Sequence, residues 1–155
     1  MKVLVIGDSH GNIENLKHAV GFGKEIEVGA IFHCGDWNNV LSIETVLSFG
    51  IPVYTVLGNA DIDPVLIKEL KEKNTGYSDE VLKVELGGKK ILVSHYLGKL
   101  KQDKRDFDIG FYGHRHSQEK QEIDGKLFVR PGALENDINF CVYDTISERV
   151  EFITI

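Results

Sequence analysis

Five short apolar runs mark this chain, and each stops at a small residue followed by a polar one. Val3 to Ile6 leads into Gly7-Asp8-Ser9-His10, Ala30 to Cys34 into Gly35-Asp36, and Val53 to Leu57 into Gly58-Asn59. Ile91 to Val93 leads into Ser94-His95, and Ile109 to Tyr112 into Gly113-His114-Arg115-His116. Runs of this length, rich in branched and aromatic residues and closed by turn formers, predict strands. Between the first three, apolar positions recur at helical spacing: Ile13, Leu16 and Val20, ending near Gly21 and Gly23; then Val40, Ile43 and Leu47; then Val65, Leu66 and Leu70. Asp63 suits the N-cap of the third helix and Pro64 its first turn. Strand and helix alternating in this way predict a largely parallel sheet buried on both faces.

Beyond about residue 80 the pattern becomes strict alternation and hairpins. Leu82, Val84 and Leu86 alternate with Lys83 and Glu85, Gly87-Gly88 turns the chain, and Lys90 to Ser94 returns. Asp124-Gly125 predicts a second hairpin between Lys120 to Ile123 and Lys126 to Arg130, and Phe140 to Tyr143 with Arg149 to Ile155 a final antiparallel pair. The expected fold class is α/β: one domain over residues 1–155, with two packed β-sheets flanked by helices.

A chain of 155 residues is long enough to bury a core without disulfides. Its 42% hydrophobic and 27% charged content is that of a soluble globular protein. A formal net charge of −6 gives no general attraction for nucleic acid or anionic membrane, so an anionic substrate needs a local positive charge. Two cysteines, Cys34 and Cys141, both inside predicted strands, make neither a disulfide framework nor a zinc motif and read as core residues. The first apolar run is too short for a signal peptide or a membrane span, and the expected location is the cytoplasm.

The polar residues that end the runs, Asp8, His10, Asp36, Asn59, His95, His114 and His116, are all groups that bind divalent metals. Neighbouring strands would gather them along one sheet edge. In extended backbone, residues two apart share a face, so Asp8 with His10, and His114 with His116, would each grip one ion. Oxygen and imidazole donors without thiolate suit Mn²⁺, Fe²⁺, Co²⁺, Ni²⁺ or Zn²⁺. Seven donors exceed one tetrahedral zinc and match two ions sharing a carboxylate and a solvent oxygen.

Asp8-x-His10, Gly35-Asp36, Gly58-Asn59, His95 and Gly113-His114-x-His116, in that order, resemble the signature of the calcineurin-like metallophosphoesterase superfamily, and the short chain is similar to its small stand-alone bacterial and archaeal phosphodiesterases. The resemblance covers residues 3 to about 133. It implies a four-layer αββα sandwich and a dinuclear centre, with Asp8, His10, Asp36 and His116 on one metal, Asp36, Asn59, His95 and His114 on the other, and Asp36 bridging. It further implies a metal-bridging hydroxide as nucleophile, with no side chain in that role, and Mn²⁺ as the first expectation for the native ion.

Three positions depart from the pattern. Ala60 stands where phosphatase relatives carry a leaving-group histidine, Tyr96 where glycine often follows the fourth block, and Arg130-Pro131-Gly132-Ala133 where Asn-Pro-Gly-Ser is usual. The implied activity is therefore phosphodiester hydrolysis more than phosphatase action, with a phosphoester substrate, nucleic acid only as a substrate, and a homodimer left open. The alternatives are a non-catalytic protein-interaction scaffold of the same fold, a phosphatase or a nuclease. Asn12, Asp61, Tyr96 and Arg115 are candidates for contacts to substrate or to the ligands, although helix capping accounts equally well for Asn12 and Asp61. His33 reads as a satisfied core residue and His18 as solvent-facing. The basic stretch Lys99, Lys101, Lys104 and Arg105 reads as a solvated loop, with Asp103 and Asp106 among it.

Overall fold

A computed structural model describes residues 1–155. The chain runs β1 (Lys2–Ile6), α1 (Ile13–Glu25), β2 (Ala30–His33), α2 (Val40–Leu47), β3 (Val53–Val56), α3 (Pro64–Lys73), β4 (Gly76–Ser78), β5 (Val81–Leu86) and β6 (Lys89–Ser94). It continues α4 (Leu97–Gln102), β7 (Ile109–Tyr112), β8 (Gln118–Ile123), β9 (Lys126–Pro131), β10 (Asn139–Asp144) and β11 (Val150–Thr154). The strands form two sheets, ordered β11-β10-β1-β2-β3-β4 and β5-β6-β7-β9-β8. β1 to β4 are parallel, as the βαβ alternation requires, and β10 and β11 extend that sheet antiparallel. The Gly87-Gly88 and Asp124-Gly125 turns close the antiparallel pairs β5–β6 and β8–β9.

Three buried clusters lie at the three interfaces of the αββα stack. Leu4, Ile6, Leu16, Val20, Ile43 and Leu66 belong to the packing of α1 to α3 on the first sheet. Val3, Val5, Phe32, Val93, Phe111 and Val129 fill the space between the sheets. Leu100 of α4 packs with Leu92, Phe107, Tyr112 and Phe128 on the far side. β1 shows the logic: its alternate residues Val3 and Val5 face the second sheet while Leu4 and Ile6 face the helices, so a fully apolar strand is buried on both sides. Full burial of each such side chain contributes about 1.5–3 kcal/mol. No helix is long and apolar enough to cross a membrane.

The structure differs from the sequence expectation at several places. α1 continues through Gly21 and Gly23 to Glu25. Gly23 packs the helix onto β1, since a Cβ there would lie 3.0 Å from Leu4 Cδ2; the glycine serves close approach and does not end the helix. Val65 does not join the core but is 60% exposed, because α3 buries Leu66 and Leu70 instead. Lys99 and Lys101 lie in α4, where a loop was expected. Lys99 pairs with Glu80 and Arg105 with Asp103.

Candidate metal centre

The seven donors come from both sheets, not from the edge of one. β1, β2 and β3 deliver Asp8, His10, Asp36 and Asn59, while β6 and β7 deliver His95, His114 and His116. Nor is the backbone extended where residues two apart were expected to share a face. Asp8, His10, Asp36 and His114 have φ of 49°, 42°, 63° and 73°. L-residues seldom adopt this left-handed conformation, and it concentrates at sites where the surroundings hold it in place. Each loop therefore turns sharply on leaving its strand and aims its side chain over the strand ends.

Two glycines let these loops close on one another. A Cβ at Gly58 would lie 2.0 Å from Asp36 Oδ1, and one at Gly113 would lie 2.7 Å from Asp8 Oδ2. Any larger residue at either place would displace a carboxylate.

Asp61 fastens the loops from below. Its buried carboxylate accepts the backbone N–H groups of Asp36 (2.9 Å), Trp37 (2.7 Å), Asn38 (3.0 Å) and Gly58 (2.8 Å). It is buried and holds the loops that bear Asp36 and Asn59. Asn12 caps α1 by accepting the Asn15 amide and donates to the Glu135 carbonyl. His33 is fully buried, stacks on Trp37 at 3.6 Å and shares a hydrogen bond with Ser9 Oγ; burial pushes its pKa down to about 3, so it stays neutral. His18 is exposed.

The donor atoms converge. Asp8, Asp36 and His95 offer atoms all within 4.8 Å of one another, as do Asp8, His10 and His116. Asp36 Oδ1 is tied to the Ala60 amide at 2.8 Å, while Asp36 Oδ2 lies 3.4 Å from both His10 Nε2 and His95 Nε2. Asn59 Oδ1 lies 2.9 Å from His95 Nε2 and 3.1 Å from His114 Nδ1. Asp8 also accepts the His114 amide at 3.1 Å, which couples β1 to the loop after β7.

Proton positions follow from the acceptors. His95 Nδ1 lies 2.8 Å from the Cys34 carbonyl, which can only accept, so Nδ1 carries a hydrogen and Nε2 is the nitrogen turned to the cluster. His116 has Nδ1 3.4 Å from Glu135 Oε2 and Nε2 3.6 Å from Asp8 Oδ1, the same arrangement with a carboxylate behind the ring. Glu135 is a residue that sequence reasoning missed. Burial pushes the Asp8 carboxyl up to about 6, with the Asp36 charge adding to it. Burial also acts on Asp36, but hydrogen bonds from His95 and Ala60 outweigh it and hold that carboxyl below its ordinary value.

This donor set fits divalent metal. His10 Nε2 is buried and has no hydrogen-bond partner; Asp36 Oδ2 is 3.4 Å away without hydrogen-bond alignment. An orphaned buried ring nitrogen is costly unless a further group takes it up. Carboxylate, amide oxygen and imidazole together, with no thiolate, suit Mn²⁺, Fe²⁺, Co²⁺, Ni²⁺ or Zn²⁺.

Tyr96 stands beside the cluster, 39% exposed, with its ring centroid 4.8 Å from that of His114 and 4.9 Å from that of His95. It lies on the wall of two cavities. One, of about 400 Å³, includes His114, Arg115 and Arg130; the other, of about 240 Å³, includes Asn59, His95 and Lys99.

Fold and site together define an αββα protein with a carboxylate–histidine cluster where its two sheets meet. The family model of the calcineurin-like phosphoesterase superfamily domain matches residues 1–146, and the chain belongs to that superfamily. It is 31% identical over 144 residues to the probable metallophosphoesterase YsnB of Bacillus subtilis, covering 86% of this chain and 75% of that one. It is 26% identical over 138 residues to phosphodiesterase MJ0936 of Methanocaldococcus jannaschii, covering 85% and 83%. The solved structure of an archaeal phosphodiesterase superposes with a TM-score of 0.86 at 22% identity over the full length of both chains, a likeness of fold.

Proposed function

We propose that this protein is a two-metal phosphodiesterase. The observation that carries the reading is the convergence of Asp8, His10, Asp36, His95 and His116 in two overlapping groups, with Asn59 against His95 and His114 and with His10 Nε2 buried and unpartnered among them. In this reading Asp8, His10, Asp36 and His116 hold one ion, and Asp36, Asn59, His95 and His114 the other. Asp36 bridges, because its Oδ2 lies equally near a histidine of each set. Two such ions would lower the pKa of a shared water, so that hydroxide is the nucleophile, and would neutralise the phosphoryl oxygens. The Cys34 carbonyl and Glu135 keep His95 and His116 in the tautomer that presents Nε2.

Two features favour diesters over monoesters. Ala60 offers no proton to a leaving group, so substrates whose leaving group needs little protonation are preferred. The two cavities on either side of Tyr96 give each alcohol portion of a diester its own space. The test is hydrolysis of bis(p-nitrophenyl) phosphate and of p-nitrophenyl phosphate by metal-stripped protein, before and after addition of Mn²⁺, Ni²⁺ or Zn²⁺. The expected result is metal-dependent cleavage with the diester preferred, reduced at least about 100-fold in Asp36→Ala, since even residues that only support a ligand reach that size. Two bound metals with no hydrolysis of any phosphoester would overturn it and favour the protein-interaction scaffold.

A further inference from the structure

The larger cavity beside the cluster has a chemistry of its own. Two of the three positions at which the chain departs from its family's pattern, Tyr96 and Arg130, both line it. Arg130 does not face substrate as a free cation. Its guanidinium donates to the Ser117 carbonyl and hydroxyl, each at 2.7 Å, pairs with Glu119 Oε2 at 3.1 Å and lies over the Tyr112 ring at 5.4 Å. Glu119 Oε2 also accepts the Tyr112 hydroxyl at 2.6 Å, and Gln121 Nε2 donates to that hydroxyl at 3.2 Å.

These bonds consume donors and leave acceptors. Three of the five Arg130 N–H groups and the Tyr112 hydroxyl hydrogen are taken up, whereas Glu119 Oε1 and Gln121 Oε1 have no protein partner. At the rim stand the Tyr96 ring and the exposed Arg115, which forms no ion pair. So the cavity offers acceptors within, and an aromatic face and a cation at the mouth, where it shares Gly113 and His114 with the cluster. An acyl chain would meet a charged lining there, and a second phosphate would meet the Glu119 carboxylate. A planar group bearing N–H and O–H donors meets acceptors at Glu119 and Gln121 and an aromatic face at Tyr96. About 400 Å³ is within the range of small-molecule sites.

We propose that this cavity is a nucleoside subsite. It holds the sugar and base of a nucleoside phosphodiester through donors to Glu119 and Gln121, with the base against Tyr96 and the phosphate beside Arg115 at the cluster. The inference rests on the phosphodiesterase reading and specifies its substrate class.

The test compares two diesters with one leaving group, the p-nitrophenyl esters of adenosine 5′-phosphate and of ethyl phosphate, on Mn²⁺-loaded protein. The wild-type kcat/KM should favour the nucleoside ester by about tenfold or more, the ratio that 1.4 kcal/mol of added binding supplies. Glu119→Gln and Gln121→Met should each lower that ratio about three- to tenfold through KM, as loss of one hydrogen-bond acceptor does. A wild-type ratio near one, or a ratio that neither variant moves, overturns the subsite. If neither ester is cleaved with any metal, the phosphodiesterase reading fails. Calorimetric binding of adenosine 5′-phosphate to metal-loaded protein then decides the cavity separately: binding weakened by Gln121→Met supports it, and no binding, or binding indifferent to the variant, refutes it.

Discussion

Asp8, Asp36 and His95 are buried, whereas Asn59, His114 and His116 are exposed. The first group is held several times over: Asp36 by the Ala60 amide and through the Asp61 cradle, His95 by the Cys34 carbonyl, and Asp8 by its bond to the His114 amide. The second group faces solvent with fewer restraints, such as the single Glu135 contact behind His116. One half of the cluster is thus built into the fold, while the other stands at the rim, open to solvent. Removal of a buried donor should therefore weaken metal binding more than removal of an exposed one.

The largest effect expected on this division is at Asp61. Asp61→Ala leaves four N–H donors of the ligand loops without their acceptor, three of them on consecutive residues from Asp36 to Asn38. A loss of about 3–5 kcal/mol is expected by denaturant unfolding of the metal-free protein, the range for breaking a buried charged network. A loss under about 1 kcal/mol would mean that the buried half is held by packing alone.

Next comes the pH dependence of metal binding. Burial raises the Asp8 carboxyl to about 6 in the metal-free site, so below that pH an ion must displace a proton to bind. Affinity therefore falls as pH drops through 6. Asp8 alone gives about a tenfold weakening of Mn²⁺ binding from pH 7 to pH 5, readable by calorimetry. His95, where the pull of burial is exceeded by the Asp36 carboxylate so that its pKa lies above the ordinary value, adds to this in the same direction. Affinity unchanged across that interval would place the ion away from Asp8.

The smallest effect is on the rim. Glu135→Ala removes the carboxylate behind His116, in a pair that is about 40% exposed on each side, and should weaken metal binding by about tenfold at most. Glu135→Gln, which still accepts a hydrogen bond, should recover most of it. Equal losses in both variants would assign Glu135 a charge effect and not an orienting one.

The strands that carry the centre were legible because each is a mostly apolar, largely buried run, and that pattern owes little to context. The antiparallel turns at Gly87-Gly88 and Asp124-Gly125 were legible for the same local reason. Two short elements were not. β4 is only three residues, and α4 is six with Gly98 inside it, so neither shows a full period. Of the site, the seven residue types could be read, but not how their backbones present them. The left-handed conformations of Asp8, His10, Asp36 and His114 are imposed by loops packing on one another through Gly58 and Gly113, contacts that join residues far apart in sequence. Glu135 carries no local signal either, since it meets His116 only because Asn12 and the turn after β9 bring it there.

In the proposed function two ions sit in this cluster and share Asp36. The most direct test is anomalous diffraction from crystals grown with Mn²⁺. Two peaks about 3.5–4 Å apart are expected, with Asp36 between them, His10 and His116 on one and His95, His114 and Asn59 on the other. A single peak at full Mn²⁺ saturation, or two peaks not joined by Asp36, would contradict it.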